Sequence, residues 1–99
     1  MSKVDIICCA YNAEKTISLT IESVLNQTYK NFSFYIIDDG STDNTLEVCN
    51  SYKNLDDRII VVSINNVGLT KALIYGVDLG DGKLIARIDA DDTWSTSKL

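Results

Sequence analysis

Four short apolar runs, separated by stretches with helical periodicity, constrain the fold of this 99-residue chain more than any other feature. In chain order they are VDIICC (4–9), FSFYIID (32–38), RIIVVSI (58–64) and KLIARID (83–89). They are too uniformly apolar to have a face in contact with water, which is typical of strands in a parallel sheet covered on both sides. The sequence therefore predicts an α/β, Rossmann-like parallel sheet with helices on both faces and the order β-α-β-α-β-α-β.

The three segments between these strands carry apolar side chains at helical spacing. The positions on the buried faces are, in order, Ile17, Ile21, Val24, Leu25 and Thr28; Leu46, Cys49 and Tyr52 or Lys53; and Leu69, Ala72, Leu73, Gly76 and Val77. Each segment is long enough for a two- to three-turn helix that crosses over the sheet.

Small polar residues mark the expected helix starts and turns. Asn12 is the predicted cap of the first helix, and Ser41 or Thr42 that of the second. Asp43 then falls in the first turn of the second helix, where the helix dipole favours an anion. Asn65, Asn66 and Gly68 turn the chain before the third helix, and Asp81-Gly82 turns it before the last strand.

Charge and cysteine content exclude several classes of function. The net charge is −5 with no basic block, which argues against nucleic acid or an anionic membrane as a partner, and an anionic ligand would need a cation. There is no His, and the three cysteines (Cys8, Cys9 and Cys49) have no zinc-ligand spacing. We expect reduced thiols in a cytosolic protein. No apolar segment approaches the roughly 20 residues of a membrane span.

Polar clusters follow three of the predicted strands. They are Ala10-Tyr11-Asn12, Asp38-Asp39-Gly40 and Asp89-Ala90-Asp91-Asp92. Because all strands of a parallel sheet point the same way, these clusters meet at the carboxyl edge, where ligands bind at the point of strand-order reversal. The two acidic clusters are therefore predicted to share one cleft.

The acidic clusters allow two interpretations. Asp89 and Asp91 offer hard oxygen ligands to Mg²⁺ or Mn²⁺, yet a lone Asp-x-Asp is more often an acidic turn. The segment IIDDGSTD is likewise explained by a turn at Gly40 and a well-capped helix. Two like-charged clusters at one edge cost stability unless a bound group compensates them, which favours a metal or polar-ligand site.

Five ordered blocks resemble a known family. AYN (10–12), SVLNQTYKNF (23–32), IIDDGSTDNT (36–45), NVGLTKAL (66–73) and ARIDADDTW (86–94) look like the nucleotide-binding half of family 2 glycosyltransferases, which have the GT-A fold. The resemblance covers the whole chain with matching order and spacing. It implies an enzyme that transfers a sugar from a nucleotide-sugar donor.

The resemblance also implies residue roles. The pocket for the nucleotide base, commonly uracil, would be lined by Cys9, Ala10, Tyr11 and Asp39. A carboxylate can accept a hydrogen bond from the imide N–H of uracil, and a tyrosine ring can stack on the base. Asp91 would bind the Mn²⁺ or Mg²⁺ ion that bridges the diphosphate, with Asp89 near the ribose or reaching the ion through water. Lys71 could add a cation to the diphosphate.

Four positions depart from the family pattern. Cys9 and Ala10 stand where Pro and then Thr or Ser usually precede the Tyr-Asn pair, Ile74 replaces a common Asn, and Thr96 replaces a common Pro. None of them removes a carboxylate. They leave the preference for base and sugar open.

The catalytic base and acceptor region of such enzymes lie downstream of the acidic motif, beyond Leu99. Residues 1–99 are therefore expected to be the donor-binding part of a GT-A domain. By itself this part should bind nucleotide weakly and transfer no sugar. It should also expose apolar surface and self-associate. The parent enzyme would use a UDP-sugar and a glycan or lipid-linked acceptor in surface polysaccharide synthesis, in the cytoplasm or at the inner membrane face.

Three other classes of protein share part of this sequence pattern. A non-catalytic nucleotide-binding or scaffold domain stays open. A haloacid-dehalogenase-like phosphatase would need its DxDxT motif after the first strand, whereas DADDT follows the fourth. A dinucleotide-binding domain would need G-x-G-x-x-G after the first strand, and CAYNAEKT has no glycine.

Overall fold

The computed structural model describes residues 2–81 and 84–99, which contain seven elements in the predicted alternating order. They are β1 (Val4–Ala10), α1 (Ile17–Leu25), β2 (Phe32–Asp39), α2 (Thr45–Lys53), β3 (Ile59–Ile64), α3 (Leu69–Leu79) and β4 (Leu84–Arg87). The predicted first residue of the last strand, Lys83, and Gly82 of the predicted turn lie outside the described residues.

All strand pairs are parallel, and the strands lie in the order β3-β2-β1-β4. The chain moves from β1 outwards to β3, then crosses over and adds β4 on the other side of β1. The strand order therefore reverses between β1 and β4. In a parallel α/β sheet this reversal opens a crevice at the carboxyl ends of the two strands.

The two faces of the sheet are covered by different helices, because consecutive strand residues point to opposite faces. On one face, Ile6 and Ile36 belong to the same buried cluster as Ile21 of α1 and Cys49 of α2. On the other, Ile7 and Ile37 pack with Ala72 of α3. The prediction of a parallel sheet with helices on both faces is confirmed.

Gly76 explains how closely α3 approaches the sheet. A Cβ atom at this position would lie 2.6 Å from Cγ2 of Ile7 and 3.2 Å from Cγ1 of Ile37. Any larger residue would push the helix away from β1 and β2. The position of α3, and of the loop that precedes it, thus depends on this contact.

The expectation that no strand has a wet face is wrong for the edge strand β4. Leu84 and Ile85 are 52% and 53% exposed, and Arg87 is also exposed. The strand pairs only with β1, and α3 packs over β1 and β2 rather than over β4. The apolar composition of this segment predicted a strand correctly, but it did not predict how much of the strand is buried.

Two details of the predicted first helix are wrong. Thr28 is exposed and lies beyond the end of α1 at Leu25. Asn12 does not cap this helix, which begins at Ile17 after Thr16. Asn12 instead has a positive φ of 50° and uses its side chain in a loop contact described below.

The predicted caps of the second helix are also displaced. The helix begins at Thr45, after Asn44, and neither Ser41 nor Thr42 is its cap. Asp43 precedes the first turn, and its Oδ1 accepts a hydrogen bond from the Thr45 N–H at 2.9 Å. Burial acts to raise the pKa of Asp43, but the hydrogen bonds from Thr45 outweigh it and lower the pKa. The anion therefore lies just before the first turn of the helix rather than within it.

Candidate functional site

A cavity of about 600 Å³ opens at the carboxyl edge of the sheet, at the reversal between β1 and β4. Residues from the ends of β1, β2 and β4 and from the start of α3 line it. They are Cys9, Tyr11, Asn12, Ala13, Thr16, Asp39, Asn66, Gly68, Leu69, Arg87, Asp89, Ala90 and Asp91. The topology alone places ligand sites of α/β sheets here. We call this cavity the cleft.

Asp39 fixes one wall of the cleft. Its carboxylate is buried, with Oδ1 accepting the Val67 N–H at 2.8 Å and Oδ2 accepting the Gly68 N–H at 3.0 Å. These two amides belong to the loop that leads into α3. A carboxylate has about four acceptor sites, so each oxygen keeps capacity for a ligand donor. Asp39 therefore holds the loop and still presents an acceptor to the cleft.

Asp38 points the other way. Its Oδ2 accepts a hydrogen bond from the Ser63 hydroxyl at 3.2 Å, and its Oδ1 accepts the Ser41 N–H at 3.4 Å. The alternation of a strand explains the difference, because consecutive side chains face opposite sides of the sheet. Only the second aspartate of the pair reaches the cleft.

The loops after β1 and β2 are bound to each other. The Asn12 side-chain oxygen accepts hydrogen bonds from the backbone N–H groups of Thr42 at 2.8 Å and Asp43 at 3.3 Å. The backbone N–H of Asn12 donates to the Ser41 hydroxyl at 2.9 Å. Asn12 makes this contact with a φ of 50°, a conformation that asparagine tolerates better than most residues. It fixes Tyr11, which lies between Asn12 and the buried Ala10 and is 43% exposed at the cleft.

The acidic loop after β4 is held by hydroxyl groups of α1 and of the residue before it. The Thr20 hydroxyl lies 2.7 Å from the Asp92 carbonyl oxygen and 3.0 Å from that of Ala90, to which the Thr16 hydroxyl also donates at 3.0 Å. Both carbonyls flank Asp91. Thr20 is fully buried. These contacts set the position of the Asp91 backbone.

A second buried polar residue of the same region holds the segment that follows. The Gln27 amide nitrogen donates to the Ser95 carbonyl at 2.6 Å, and the Gln27 side-chain oxygen accepts the Leu99 N–H at 3.1 Å. Gln27 is fully buried, as a polar group can be when its donors and acceptors are satisfied. Residues 90–99 are thus held next to α1 by hydrogen bonds from Thr16, Thr20 and Gln27, in addition to apolar contacts of Trp94 and Leu99 with the core.

Cys9 is a neutral thiol at the cleft wall. Burial raises its pKa, the carboxylates of Asp39 and Asp89 raise it further, and Arg87 acts against them. The other two cysteines, Cys8 and Cys49, are buried, and all three are free thiols. A thiol with a raised pKa is a poor nucleophile at neutral pH. Cys9 therefore contributes shape and a weak donor to the cleft rather than covalent chemistry.

The donor set suits a hard divalent cation that also binds the ligand. Within residues 2–81 and 84–99, no three His, Cys, Asp or Glu side chains are grouped so that they could hold an ion by themselves. Asp89 and Asp91 nevertheless line the cleft together and are exposed. Magnesium sites commonly use one or two carboxylates, with waters and substrate phosphates completing the shell. Two carboxylates in an open cleft fit that chemistry.

Five of the seven site residues predicted from the sequence line the cleft, namely Cys9, Tyr11, Asp39, Asp89 and Asp91. The remaining two are placed differently. The side chain of Ala10 is fully buried in the core on the α1 face. Lys71 is exposed on the first turn of α3 and is not part of the cleft lining. Roles for all seven stay predictions.

Several lining residues escaped the sequence prediction. Arg87 is the most consequential, because it brings a positive charge to the cleft. A signal for it existed, since residues 87 and 89 lie two apart at the end of the predicted strand, where alternation puts both side chains on one face. Asn66 and Gly68 come from the loop that Asp39 holds, and Leu69 begins α3. No pattern in the sequence predicts the hydrogen bonds from Asp39 to this loop.

A four-stranded parallel sheet of this order, with its cleft at the carboxyl edge, is the architecture of GT-A glycosyltransferases, and solved structures of that class superimpose on it. The family model for Glycosyl transferase family 2 matches residues 5–99. The chain belongs to this family, as its five sequence blocks predicted.

Relatives and solved structures agree with this assignment. UDP-Glc:alpha-D-GlcNAc-diphosphoundecaprenol beta-1,3-glucosyltransferase WfaP of Escherichia coli is 43% identical over 100% of this chain and 39% of its own length. TarS of S. aureus, in complex with UDP-GlcNAc, has a TM-score of 0.87 and 28% identity over 95% of this chain and 28% of its own.

A third match shows the fold alone. Mannosyltransferase PcManGT from Pyrobaculum calidifontis, in complex with GDP-Man and Mn²⁺, has a TM-score of 0.88 and 21% identity, covering 94% of this chain and 28% of its own. The chain thus spans less than half the length of each of these proteins.

In the described ranges no helix could span a bilayer, and the longest, α3, has 11 residues.

Proposed function

We propose that residues 1–99 form the donor-binding part of a glycosyltransferase, which holds a nucleotide sugar and a divalent cation in the cleft. One observation carries this proposal above the rest. Asp39 and the pair Asp89 and Asp91, which lie 50 residues apart in the sequence, line the same cavity at the strand-order reversal. Neither acidic cluster is then an isolated turn.

The nucleoside end of the ligand would lie against β1 and β2. The Tyr11 ring is exposed at the cleft and offers a stacking face for the base. The buried Asp39 carboxylate offers an acceptor for the imide N–H of uracil. Cys9 would contribute its neutral thiol to the wall, and Ala10, whose side chain faces the core, its main chain only.

The diphosphate end would lie against the loop after β4. Asp91 would ligate Mn²⁺ or Mg²⁺ together with phosphate oxygens, and Asp89 would approach the ion or the ribose. Such an ion, when bound, neutralises charge on the departing nucleoside diphosphate. Lys71 would supply a further cation from the first turn of α3. Thr16 and Thr20 keep the Asp91 backbone in place through the Ala90 and Asp92 carbonyls.

A UDP-sugar is the favoured donor, because TarS binds UDP-GlcNAc and WfaP is named for transfer from UDP-Glc. By the same likeness, the whole enzyme would act on a glycan or lipid-linked acceptor in surface polysaccharide synthesis. No general base is assigned within residues 1–99. A cytoplasmic location agrees with three free cysteines, and the exposed Leu84 and Ile85 agree with self-association of this chain.

Thermal unfolding of the chain with UDP, GDP or ADP, each with Mn²⁺ or with EDTA, tests the donor site. A ligand at 100 times its dissociation constant adds about 2.7 kcal/mol, which raises the Tm of a domain of this size by roughly 10–20 °C. We expect the shift with UDP to require Mn²⁺ and to disappear in Asp91→Asn. Because Asp91 is exposed, this variant should fold normally.

Asp57→Asn is the matched control, since it removes an exposed carboxylate just before β3, at the opposite edge of the sheet. It should keep the full shift. A shift that survives EDTA, or that Asp91→Asn and Asp57→Asn reduce equally, would contradict the metal-dependent site. Turnover of a UDP-sugar by the full-length protein then separates an enzyme from a non-catalytic nucleotide-binding domain.

A further inference from the structure

Arg87 is the only positively charged residue among those that line the cleft in the described parts of the chain. Three carboxylates, those of Asp39, Asp89 and Asp91, share the cleft with it. A nucleoside diphosphate entering the cleft would meet a net negative wall. Even with one divalent ion bound, the position of a fixed cation decides where the phosphates can lie.

The sheet register sets the direction in which Arg87 points. Its Cα pairs with that of Ile7 in the parallel β1–β4 ladder, and Ile7 packs towards α3. Cys9 and Asp39 continue the same face at the ends of β1 and β2, as the alternation of strand side chains requires. Arg87 and the proposed nucleoside end of the site therefore lie on one side of the sheet.

Arg87 pairs with the acidic motif itself. Its Nη2 lies 3.3 Å from Oδ1 of Asp89, and both side chains are more than half exposed. An exposed pair of this kind contributes little to stability. It does, however, place a guanidinium beside a carboxylate that would otherwise be free to approach a metal ion.

We infer that Arg87 is a ligand-binding residue with two opposite effects. It competes with the divalent cation for Asp89, and it donates to the diphosphate when the donor binds. This inference rests on the proposed function. A guanidinium offers several N–H donors in a planar fork that matches phosphate oxygens. On ligand entry, Arg87 would exchange the Asp89 carboxylate for a phosphate. The carboxylate would then become available to the cation.

Arg87→Gln separates the two effects, because they have opposite signs. The affinity for Mn²⁺ alone should rise about threefold, because the variant removes a positive charge about 4–6 Å from the ion in a solvent-exposed setting. The loss of the free Mn²⁺ signal in electron paramagnetic resonance measures this affinity. Binding of UDP at saturating Mn²⁺, measured by calorimetry, should weaken about tenfold through loss of a charge-assisted hydrogen bond. Binding of uridine should not change.

Lys3→Gln serves as the matched control. It removes the same charge from an exposed ion pair, Lys3 with Asp81 at 3.5 Å, near the amino edge of the sheet. We expect this variant to keep the full UDP affinity and a Mn²⁺ affinity within twofold of the wild-type value.

The outcomes distinguish this inference from the proposed function. If the wild-type chain binds no UDP in the presence of Mn²⁺, the proposed function fails. If the wild-type chain binds UDP and Arg87→Gln binds it equally well, the inference on Arg87 fails while the donor site stands. A fall in both Mn²⁺ and UDP affinity, with a lower Tm, would show that Arg87 acts by supporting the fold and would also overturn the inference.

Discussion

Thr20→Val tests how the buried face of α1 positions the acidic loop. Valine keeps the β-branched shape of threonine and replaces its hydroxyl with a methyl group. That hydroxyl lies 2.7 Å from the Asp92 carbonyl oxygen and 3.0 Å from that of Ala90. Its single proton can serve one of them at a time, and the shorter distance favours Asp92.

The magnitude follows from the groups left behind. The Thr16 hydroxyl still donates to Ala90, so one carbonyl, that of Asp92, loses its donor. Leaving such a group unpaired costs about 1–2 kcal/mol, which corresponds to a fall of roughly 5–15 °C in Tm for a domain of this size. Loss of a residue that orients a metal ligand lowers metal affinity by about tenfold or more, and we expect that loss for Mn²⁺·UDP.

The assay is calorimetric titration with Mn²⁺·UDP and, separately, with uridine. Uridine binding should not change, because its proposed contacts lie on β1 and β2. Ser23→Ala is the control, since the Ser23 hydroxyl donates to the Thr20 carbonyl within α1 at 2.8 Å and does not touch the loop. Thr20→Val with a lower Tm but wild-type Mn²⁺·UDP affinity would refute the positioning role.

Two further predictions concern the loops and the core. Gly40→Ala should lower the free energy of unfolding, measured by chemical denaturation, by at least about 2 kcal/mol, because φ is +72° and the new Cβ would lie 2.8 Å from the Asn66 nitrogen. Gly68→Ala should cost less, since φ is +95° but no atom lies within 4 Å of its Cβ. Equal losses in the two variants would refute the clash at Gly40. Burial, together with the negative charge of Asp38, raises the pKa of Cys49 to about 12 from its ordinary value near 9. The unfolded chain therefore loses this proton at a lower pH than the folded chain, and the free energy of unfolding should fall as the pH rises from 9 towards 12. Cys49→Ala should reduce that slope by about 1.4 kcal/mol per pH unit, and an unchanged slope between pH 9 and 10.5 would contradict the shift.

The order and type of all seven elements could be predicted from the sequence because strand and helix periodicities alternate cleanly along the chain. The exposure of Leu84 and Ile85 could not, since burial of an edge strand depends on what packs against it rather than on its own residues. The start of α1 was misplaced because Asn12 has two competing uses. Its side chain satisfies the amides of the loop after β2, and a local capping rule cannot anticipate a partner 30 residues away.

The candidate site divides in the same way. Asp39, Asp89 and Asp91 could be assigned to one cleft from topology, since strand ends of a parallel sheet share an edge. Thr20 left a readable signal, because it lies three residues after Ile17 on the buried face of α1, where a polar group needs a partner. The identity of that partner, a carbonyl 72 residues further along the chain, needed the structure.

A titration of the ¹⁵N-labelled chain with Mg²⁺·UDP, followed by amide chemical shifts, tests most directly whether the two acidic clusters form one site. The Val67 and Gly68 amides, which bind Asp39, report on one end of the cleft, and the Asp91 and Asp92 amides on the other. We predict that both sets shift together with one dissociation constant. Shifts confined to one set, or two sets that saturate at different concentrations, would contradict a shared donor site.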